Sequence, residues 1–401
     1  MRLAALAVLA LGFLVSRAEA AETRSFAEIA AKARGQTVYW NAWAGDPQTN
    51  AFIASVGDEV QKRYGVTINH VKLKDTAEAV TRVIAEKAAG RNEGGSVDLI
   101  WINGPNFLAM KTQGLLHGPV TPALPNYRYV DTEGRRSNVV DFTVPVDGLA
   151  VPWRVAQIVY VYDGARTTPE TLPRTIPAML AYAKRNPGRL THPNVRDFLG
   201  STFLKQALYE LSSNPEVLQQ PATDQNFGPV TAGLWAWYDE LKPLLWRGGK
   251  VFPETGPAQR QLLADGEIDL AVSFNPAEAA VAIASGALPD SARVTVLERG
   301  TIGNTSFVAI PYNAANKEGA LVVANHLLEP ATQARAQDPK AMGNFTVLDL
   351  AKLSPAERKL FDRPADAKGL PTNAELGTAL LEPHPSWMTR ITAEWEKRYV
   401  R

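Results

Sequence analysis

Apolar positions recur along this chain with two different periods. Residues 36–41 (QTVYWN) make a short apolar run that predicts a buried strand. Between 51 and 64, Phe52, Ile53, Val56 and Val60 fall on one face of a helix, and Gly65 is placed to end it. Residues 66–73 predict a second strand. Asp75 and Glu78 have the spacing of a capping box, ahead of a helix carrying Val80, Val83, Ile84 and Ala88 on one side. Residues 97–102 (VDLIWI) predict a third buried strand, and 106–113 a helix stopped at Gly114. Strand and helix alternate strictly, which predicts a parallel α/β sheet.

Residues 116–147 break the rhythm with prolines and aromatics and read as a long surface excursion. The pattern then resumes with a long extended segment over 149–163, and a stretch over 164–190 that is Thr/Pro-rich first and helical later. Ser201 opens a helix over 201–211 that turns Phe203, Leu204, Ala207, Leu208 and Leu211 inward. Further helices are predicted over 234–246, 276–285 and 317–328, a strand over 268–274, an extended segment over 294–311, and a mostly helical tail from 345. Three strands end in a short polar turn with proline at or near the first helical position: Asp46-Pro47, Gly104-Pro105 and Asn275-Pro276. Proline suits that position because the amide it lacks would be unpaired there. Asn275 and Glu278 add a second capping box. DLIWIN (98–103) and DLAVSFN (269–275) resemble each other, which fits two lobes of similar build.

Composition narrows the class. Arg2, the apolar run 3–15 and Ala18-Glu19-Ala20 have the form of a secretory signal cut near Ala20. The run is too short to span a bilayer; an uncleaved anchor is the alternative. The chain has no cysteine, which excludes disulfides, thiol nucleophiles and thiolate metal sites, and a chain this long needs no such staples. Export without disulfides points to a Gram-negative periplasm. Of 42 basic and 41 acidic residues, Arg2, Arg17 and Glu19 lie in the signal, so the remainder is formally neutral. It has no basic blocks of the kind that bind nucleic acid or a membrane surface. Its length suits two domains.

Catalytic motifs are missing. There is no GxSxG, HExxH, Walker or strand-borne GxGxxG sequence. Of the histidines, His70, His117, His192, His326 and His384, none lies three or four residues from another, so no helical metal pair forms. His70 and His326 read as packing or surface residues. Carboxylates show no spacing that singles out an acid–base pair. The expectation is a protein with no catalytic residues, metal or cofactor. Turns after the strands are better candidates. Trp43 is either a lid over a local core or a stacking wall for a ligand, whereas Trp40, within the strand, reads as core. Asp46 is either the cap of the next helix or an anion facing a cationic ligand. Thr76, Asn103, Asn106, Ser201, Thr202 and Asn275 lie at or near helix starts, where each is either a cap or, with exposed amides, part of a polar ligand site.

In order, the segments VDLIWINGPNFLAMKTQGLL (97–116), AVPWRVAQIVYVYD (150–163), THPNVRDFLGSTFLKQAL (191–208) and GTIGNTSFVAIPYNAANKEGALVVANHLLEPATQARA (300–336), with the signal sequence, resemble the solute-binding proteins of ABC importers. The branch is the one that includes polyamine, thiamine and iron receptors. The resemblance covers most of the mature chain. It implies the two-lobed type II periplasmic binding protein fold: two α/β domains joined by crossing hinge strands near 151–153 and 307–310, with the ligand between them. Lobe one would comprise 21–151 and 309–342, and lobe two 152–308 and 343–401. By position, the cleft residues would be Trp43, Asp46, Thr76, Asn103, Asn106, Trp153, Arg154, Gln157, Ser201, Thr202, Asn275, Asn304 and Ser306. The partners implied are a small solute and the permease and ATPase of the inner membrane, with the receptor itself a monomer. Trp153 stands where the family has tyrosine. The adjacent tyrosine pair of iron receptors and the dense acidic and aromatic set of polyamine receptors are missing. A thiamine-like or other organic cation is one expectation for the solute. Arg154 either pairs with a ligand carboxylate or phosphate or braces an internal acid such as Asp46; the first favours a zwitterionic or anionic solute, the second an organic cation held by Trp43, Trp153 and Asp46. Two readings of other classes stand beside this one: a secreted hydrolase or lyase with an unrecognised site, and a periplasmic adaptor for a protein partner.

Overall fold

A computed structural model of the chain describes residues 24–362, 367–377 and 379–400. The expected signal sequence lies outside the described residues. Strands are numbered β1 Thr37–Trp43, β2 Thr67–Leu73, β3 Leu99–Ile102, β4 Val140–Asp141, β5 Val144–Pro145, β6 Ala150–Gln157, β7 Val159–Asp163, β8 Ala271–Ser273, β9 Ala292–Thr295, β10 Thr301–Ala309 and β11 Ala379–Leu380. They form two main sheets, one in each lobe.

In the first sheet β1 lies between β2 and β3, parallel to both, as strand–helix alternation requires. Beyond β3 the sheet turns mixed, because β10 re-enters from the second lobe and runs antiparallel to β3. Helix Pro47–Tyr64 follows β1 with the predicted face: Phe52, Ile53, Val56 and Val60 are buried. Asp46 caps it and Gly65, at φ 69°, ends it in the left-handed conformation that glycine adopts at little cost. The second sheet, β8-β7-β9, is antiparallel throughout. Expectation and structure part at several helix starts. The helix expected from Ser201 begins at Phe198, capped by Asp197. The helix expected from 234 begins at Asp224 under a Thr223–Asn226 capping box and carries Pro229 inside. Asn275 and Glu278 form no capping box: the Asn275 side chain accepts from the Ala277 amide, while the Glu278 carboxylate is held by Arg260 and Ser273.

Each lobe has its own core. The first is built around Trp40, Phe52, Val56, Leu99, Val151 and Trp153, and the second around Ile158, Phe203, Leu204, Leu234, Tyr238 and Trp387. Two strands run between them. β6 passes from Val151 and Val155 in the first core toward Ile158 in the second, and β10 from Ile302 in the second to Val308 in the first. Their pairing shifts between Ser306 and Phe307, which face Arg154 and Pro152, so Trp153 is an extra residue with no partner across the ladder. The tail divides between the cores: Val347, Leu348, Leu353 and Phe361 join the first, and Trp387, Ile391 and Trp395 of helix Pro385–Tyr399 join the second.

The excursion at 116–147 is made of short 3-10 turns and the hairpin β4–β5. Its tip residues Phe142 and Thr143 have φ of 45° and 70°. Two successive left-handed residues make the turn that asparagine and glycine usually occupy. With side chains present, each costs about 1–2 kcal/mol.

Candidate functional site

The turns after β1 and β3, the crossing strands and the segment after β8 meet between the lobes, and Arg154 lies at their centre. Its guanidinium sits 5.1 Å from the centre of the Trp101 ring and 5.9 Å from that of Trp153. Its Nε is closed off from solvent and has no hydrogen-bond partner among the described residues. The nearest charges are Asp46 from the first lobe and Glu278 from the second, and both act only through space. Both are also engaged elsewhere. The Asp46 carboxylate accepts from the Thr49 amide at 2.9 Å and the Thr49 hydroxyl at 2.8 Å. Glu278 accepts from Arg260 at 2.5 Å and from the Ser273 hydroxyl at 3.0 Å. Burial pulls the arginine pKa down to about 10, so at neutral pH it is still a cation. A half-buried cation without a close carboxylate is costly, and an incoming anion relieves the cost.

Aromatic rings form the floor under this charge. Trp43 meets Trp101 edge-on at 6.4 Å, and Trp101 meets Trp153 edge-on at 4.9 Å. Trp153 also stacks on Phe52 at 6.5 Å and meets Trp40 at 5.9 Å. Trp43 is half-buried and Trp153 only 1% exposed, so Trp43 and Trp101 offer faces to the cleft while Trp153 belongs to the core beneath. Gly45 lies against the Trp43 ring, where an added Cβ would sit 2.3 Å from it. Thr76 anchors the floor by donating its hydroxyl to the Trp101 carbonyl at 3.0 Å.

The remaining expected residues divide into those facing this centre and those held in other bonds. Ser306 lies opposite Arg154 in the ladder, and Asn106 is half-buried with no side-chain hydrogen bond among the described residues. Asn275 spends its amide on the Met342 carbonyl at 3.2 Å. Asn103 donates to the Thr305 carbonyl at 2.6 Å and to Asp141 at 3.3 Å. Gln157 is buried and donates to the Thr301 hydroxyl and the Leu376 carbonyl. Ser201 and Thr202 lie inside the helix rather than at its start, both buried, with the Ser201 hydroxyl on the Phe198 carbonyl. Asn304 donates to Glu382 at 2.9 Å.

The sequence reading missed Trp101 and Glu278 as site residues, and two acids shifted by burial. Asp197 caps the helix Phe198–Leu211, and burial, with Asp75 of the first lobe adding to it, raises its pKa to about 6. A second buried acid, Asp141, is pushed up to about 7 by burial while it accepts the Gly104 amide at 2.5 Å. Both shifted acids are therefore tied to backbone amides. Nearby, between the β4–β5 hairpin and the tail, lies a cavity of about 490 Å³ whose walls include Phe142, Thr143, Asn304, Glu382 and His384. Among the described residues no group of His, Asp and Glu has the arrangement of a metal site, and no helix is long and apolar enough to cross a membrane.

Comparison with known proteins speaks to the family and the fold. A model of the bacterial extracellular solute-binding protein family matches residues 55–360. Protein YnjB of Escherichia coli strain K12 is 41% identical over 391 residues, which is 97% of this chain and 97% of that protein. Among solved structures, the periplasmic binding protein AfuA from Actinobacillus pleuropneumoniae, with fructose-6-phosphate bound, aligns over 91% of this chain and 98% of its own with a TM-score of 0.61 at 13% identity. The ferric binding protein from Campylobacter jejuni aligns over 90% of this chain and 98% of its own, with a TM-score of 0.60 at 14% identity. At those identities the two structures speak for the fold alone.

Proposed function

The chain belongs to the bacterial extracellular solute-binding protein family, and from that premise we propose that it captures a small anionic or zwitterionic solute between its lobes, with Arg154 as the anion-binding residue. As a solute-binding protein of the ABC importer type it is a receptor and not an enzyme, with a small-molecule ligand and a membrane permease as partners. The finer reading rests on one observation: Arg154 lies half-buried over two tryptophans with neither of its two nearest carboxylates bonded to it, Glu278 being held by Arg260 and Ser273 and one oxygen of Asp46 by Thr49. A carboxylate or phosphate on the solute would complete a bidentate pair with it.

Trp43 and Trp101 would hold the flat or apolar body of the solute, and Asp46 any cationic group on it. A purely cationic solute such as thiamine or a polyamine would lie beside an uncompensated guanidinium; a thiamine phosphate would not. Capture works by differential affinity. A solute touching Arg154 on a crossing strand and groups on both lobes makes all its contacts only in the closed form, and so shifts the open–closed equilibrium. Residues 21–151 with 309–342 would move as one lobe against the rest. The expected setting is the periplasm, after removal of the signal.

Titration calorimetry on protein unfolded and refolded to strip carried-over solute tests this reading. The panel is thiamine, thiamine monophosphate, spermidine, amino acids and sulfate. We expect heat only from compounds with a carboxylate, phosphate or sulfate, and none with Arg154→Met. Tight binding of spermidine or thiamine that survives Arg154→Met would overturn the assignment.

A further inference from the structure

Lys205 is a buried cation, and its neighbours come from three parts of the chain. It lies on the second-lobe helix Phe198–Leu211 with its side chain fully buried. Its Nζ is 2.6 Å from a Glu382 carboxylate oxygen in the tail. The other Glu382 oxygen accepts from Asn304 on β10 at 2.9 Å. The tail here is fastened to the second lobe, since Gln219 donates to the Glu382 carbonyl and the His384 amide donates to the Leu218 carbonyl. The ion pair therefore travels with the second lobe. Its aromatic cover is shared between the lobes. Phe198, on the same helix as Lys205, places its ring 5.1 Å from Nζ, and Phe142, on the β4–β5 hairpin of the first lobe, places its ring closer, at 4.4 Å.

The hairpin is built around that placement. Asp141, one residue before Phe142, accepts the Gly104 amide at 2.5 Å, which ties the hairpin to the first-lobe helix that follows β3. The Phe142 ring lies against Gly104, where an added Cβ would sit 3.2 Å from it. The chain holds Phe142 and Thr143 in left-handed backbone rather than using glycine or asparagine, so it accepts strain in order to keep an aromatic ring at this point. Burial pulls the Lys205 pKa down and pushes the Glu382 pKa up, as a pair closed off from water requires.

We propose that Phe142 is a closure-determining residue: its ring is a clasp that shuts over the Lys205–Glu382 pair when the lobes meet and releases it to water when they part. In the open form water reaches the side of the pair that Phe142 had covered, while Phe198 and Asn304 stay in place. In the closed form the ring replaces lost hydration with a cation–π contact. The clasp thus favours the closed form without touching the solute at Arg154. It rests on the cleft-closure reading.

The chain has no native cysteine, so a spin-label pair is introduced cleanly at Ala88→Cys on the first lobe and Ala287→Cys on the second, both exposed. Interlobe distances are measured by double electron–electron resonance on the solute-free full chain. Two distances are expected, with Phe142→Leu lowering the closed-to-open ratio roughly five- to thirtyfold, the range from an exposed to a desolvated cation–π contact. Phe142→Tyr, which keeps the ring, should restore the ratio, and in a Lys205→Met background, where no cation lies under the ring, leucine and tyrosine should give the same ratio; a merely structural filling role would separate them there too. Two distances with a ratio unchanged in Phe142→Leu overturn the clasp and leave the closure reading standing. A single distance in the parent and in both variants overturns the closure reading, and the clasp with it.

Discussion

Replacing Arg154 with methionine should make the empty protein more stable while abolishing its response to solute. Burial pulls the guanidinium pKa down to about 10. A lowering of that size corresponds to about 3 kcal/mol of unfavourable burial of the charged form. Solvent still reaches part of the side chain, so the realised penalty is smaller, about 2 kcal/mol. Methionine keeps the length and apolar stem and removes the charge. Against this gain stands loss of the contacts to Trp101 and Trp153, worth about 1 kcal/mol at a partly exposed site. The balance is a stabilisation of about 1 kcal/mol, and for a chain of this size a rise in melting temperature on the order of 2 °C. Melting curves with and without solute read both effects. The parent should gain about 2.7 kcal/mol at a hundredfold excess of solute over its dissociation constant, and the variant none. If Arg154→Met melts well below the parent, the guanidinium is compensated in the empty protein and the case for an incoming anion fails. An unchanged solute-induced shift refutes it equally.

Other substitutions separate core from cleft. Trp153→Ala should cost about 3–5 kcal/mol in urea unfolding, because the ring is buried among Trp40, Phe52 and Trp101. Asp46→Asn keeps a capping acceptor for the Thr49 amide and should leave stability within about 0.5 kcal/mol, whereas Asp46→Ala should lose about 1 kcal/mol; a loss of solute affinity shared by both variants would assign the charge to the ligand. Gly45→Ala should displace the Trp43 ring and alter its fluorescence, since the new Cβ would fall 2.3 Å from it. His192 is stacked between Phe203 and Phe252, and burial lowers its pKa to about 4. Its unfolded-state pKa near 6.5 is the higher, so the stability from burying the neutral ring is complete above about pH 6.5 and is lost as pH falls toward 4, by about 3 kcal/mol. His192→Gln should flatten that acid limb in denaturation measured between pH 4 and 7.

Local signals in the sequence described local structure well. The Asp46-Pro47 junction, the buried face at Phe52, Ile53, Val56 and Val60, and the stop at Gly65 depend only on neighbours in the chain, and all three were readable. What depended on distant partners was not. Trp153 turned inward because β10 shifts register at Ser306, a property of two strands together that neither segment carries alone. Arg154 was visible as ambiguous; only the fold shows Asp46 and Glu278 committed elsewhere. The helix expected from Ser201 began a turn earlier because Asp197 is the true cap, which buried Ser201 and Thr202. Lys205 gave no signal, since a lysine among apolar helix positions is ordinarily solvent-facing. Its burial becomes intelligible only with Glu382, which lies far along the chain.

Placing Trp387, Ile391 and Trp395 in the second core has a consequence for how the molecule comes into being. That core also needs Ile158 and Leu204 from the middle of the chain, so it cannot be completed until the last helix, Pro385–Tyr399, has been synthesised. A polypeptide emerging from the ribosome therefore carries an unfinished second lobe until Trp387, Ile391 and Trp395 are in place, about 180 residues after Leu204, and in that interval the apolar faces they will cover stand open to water.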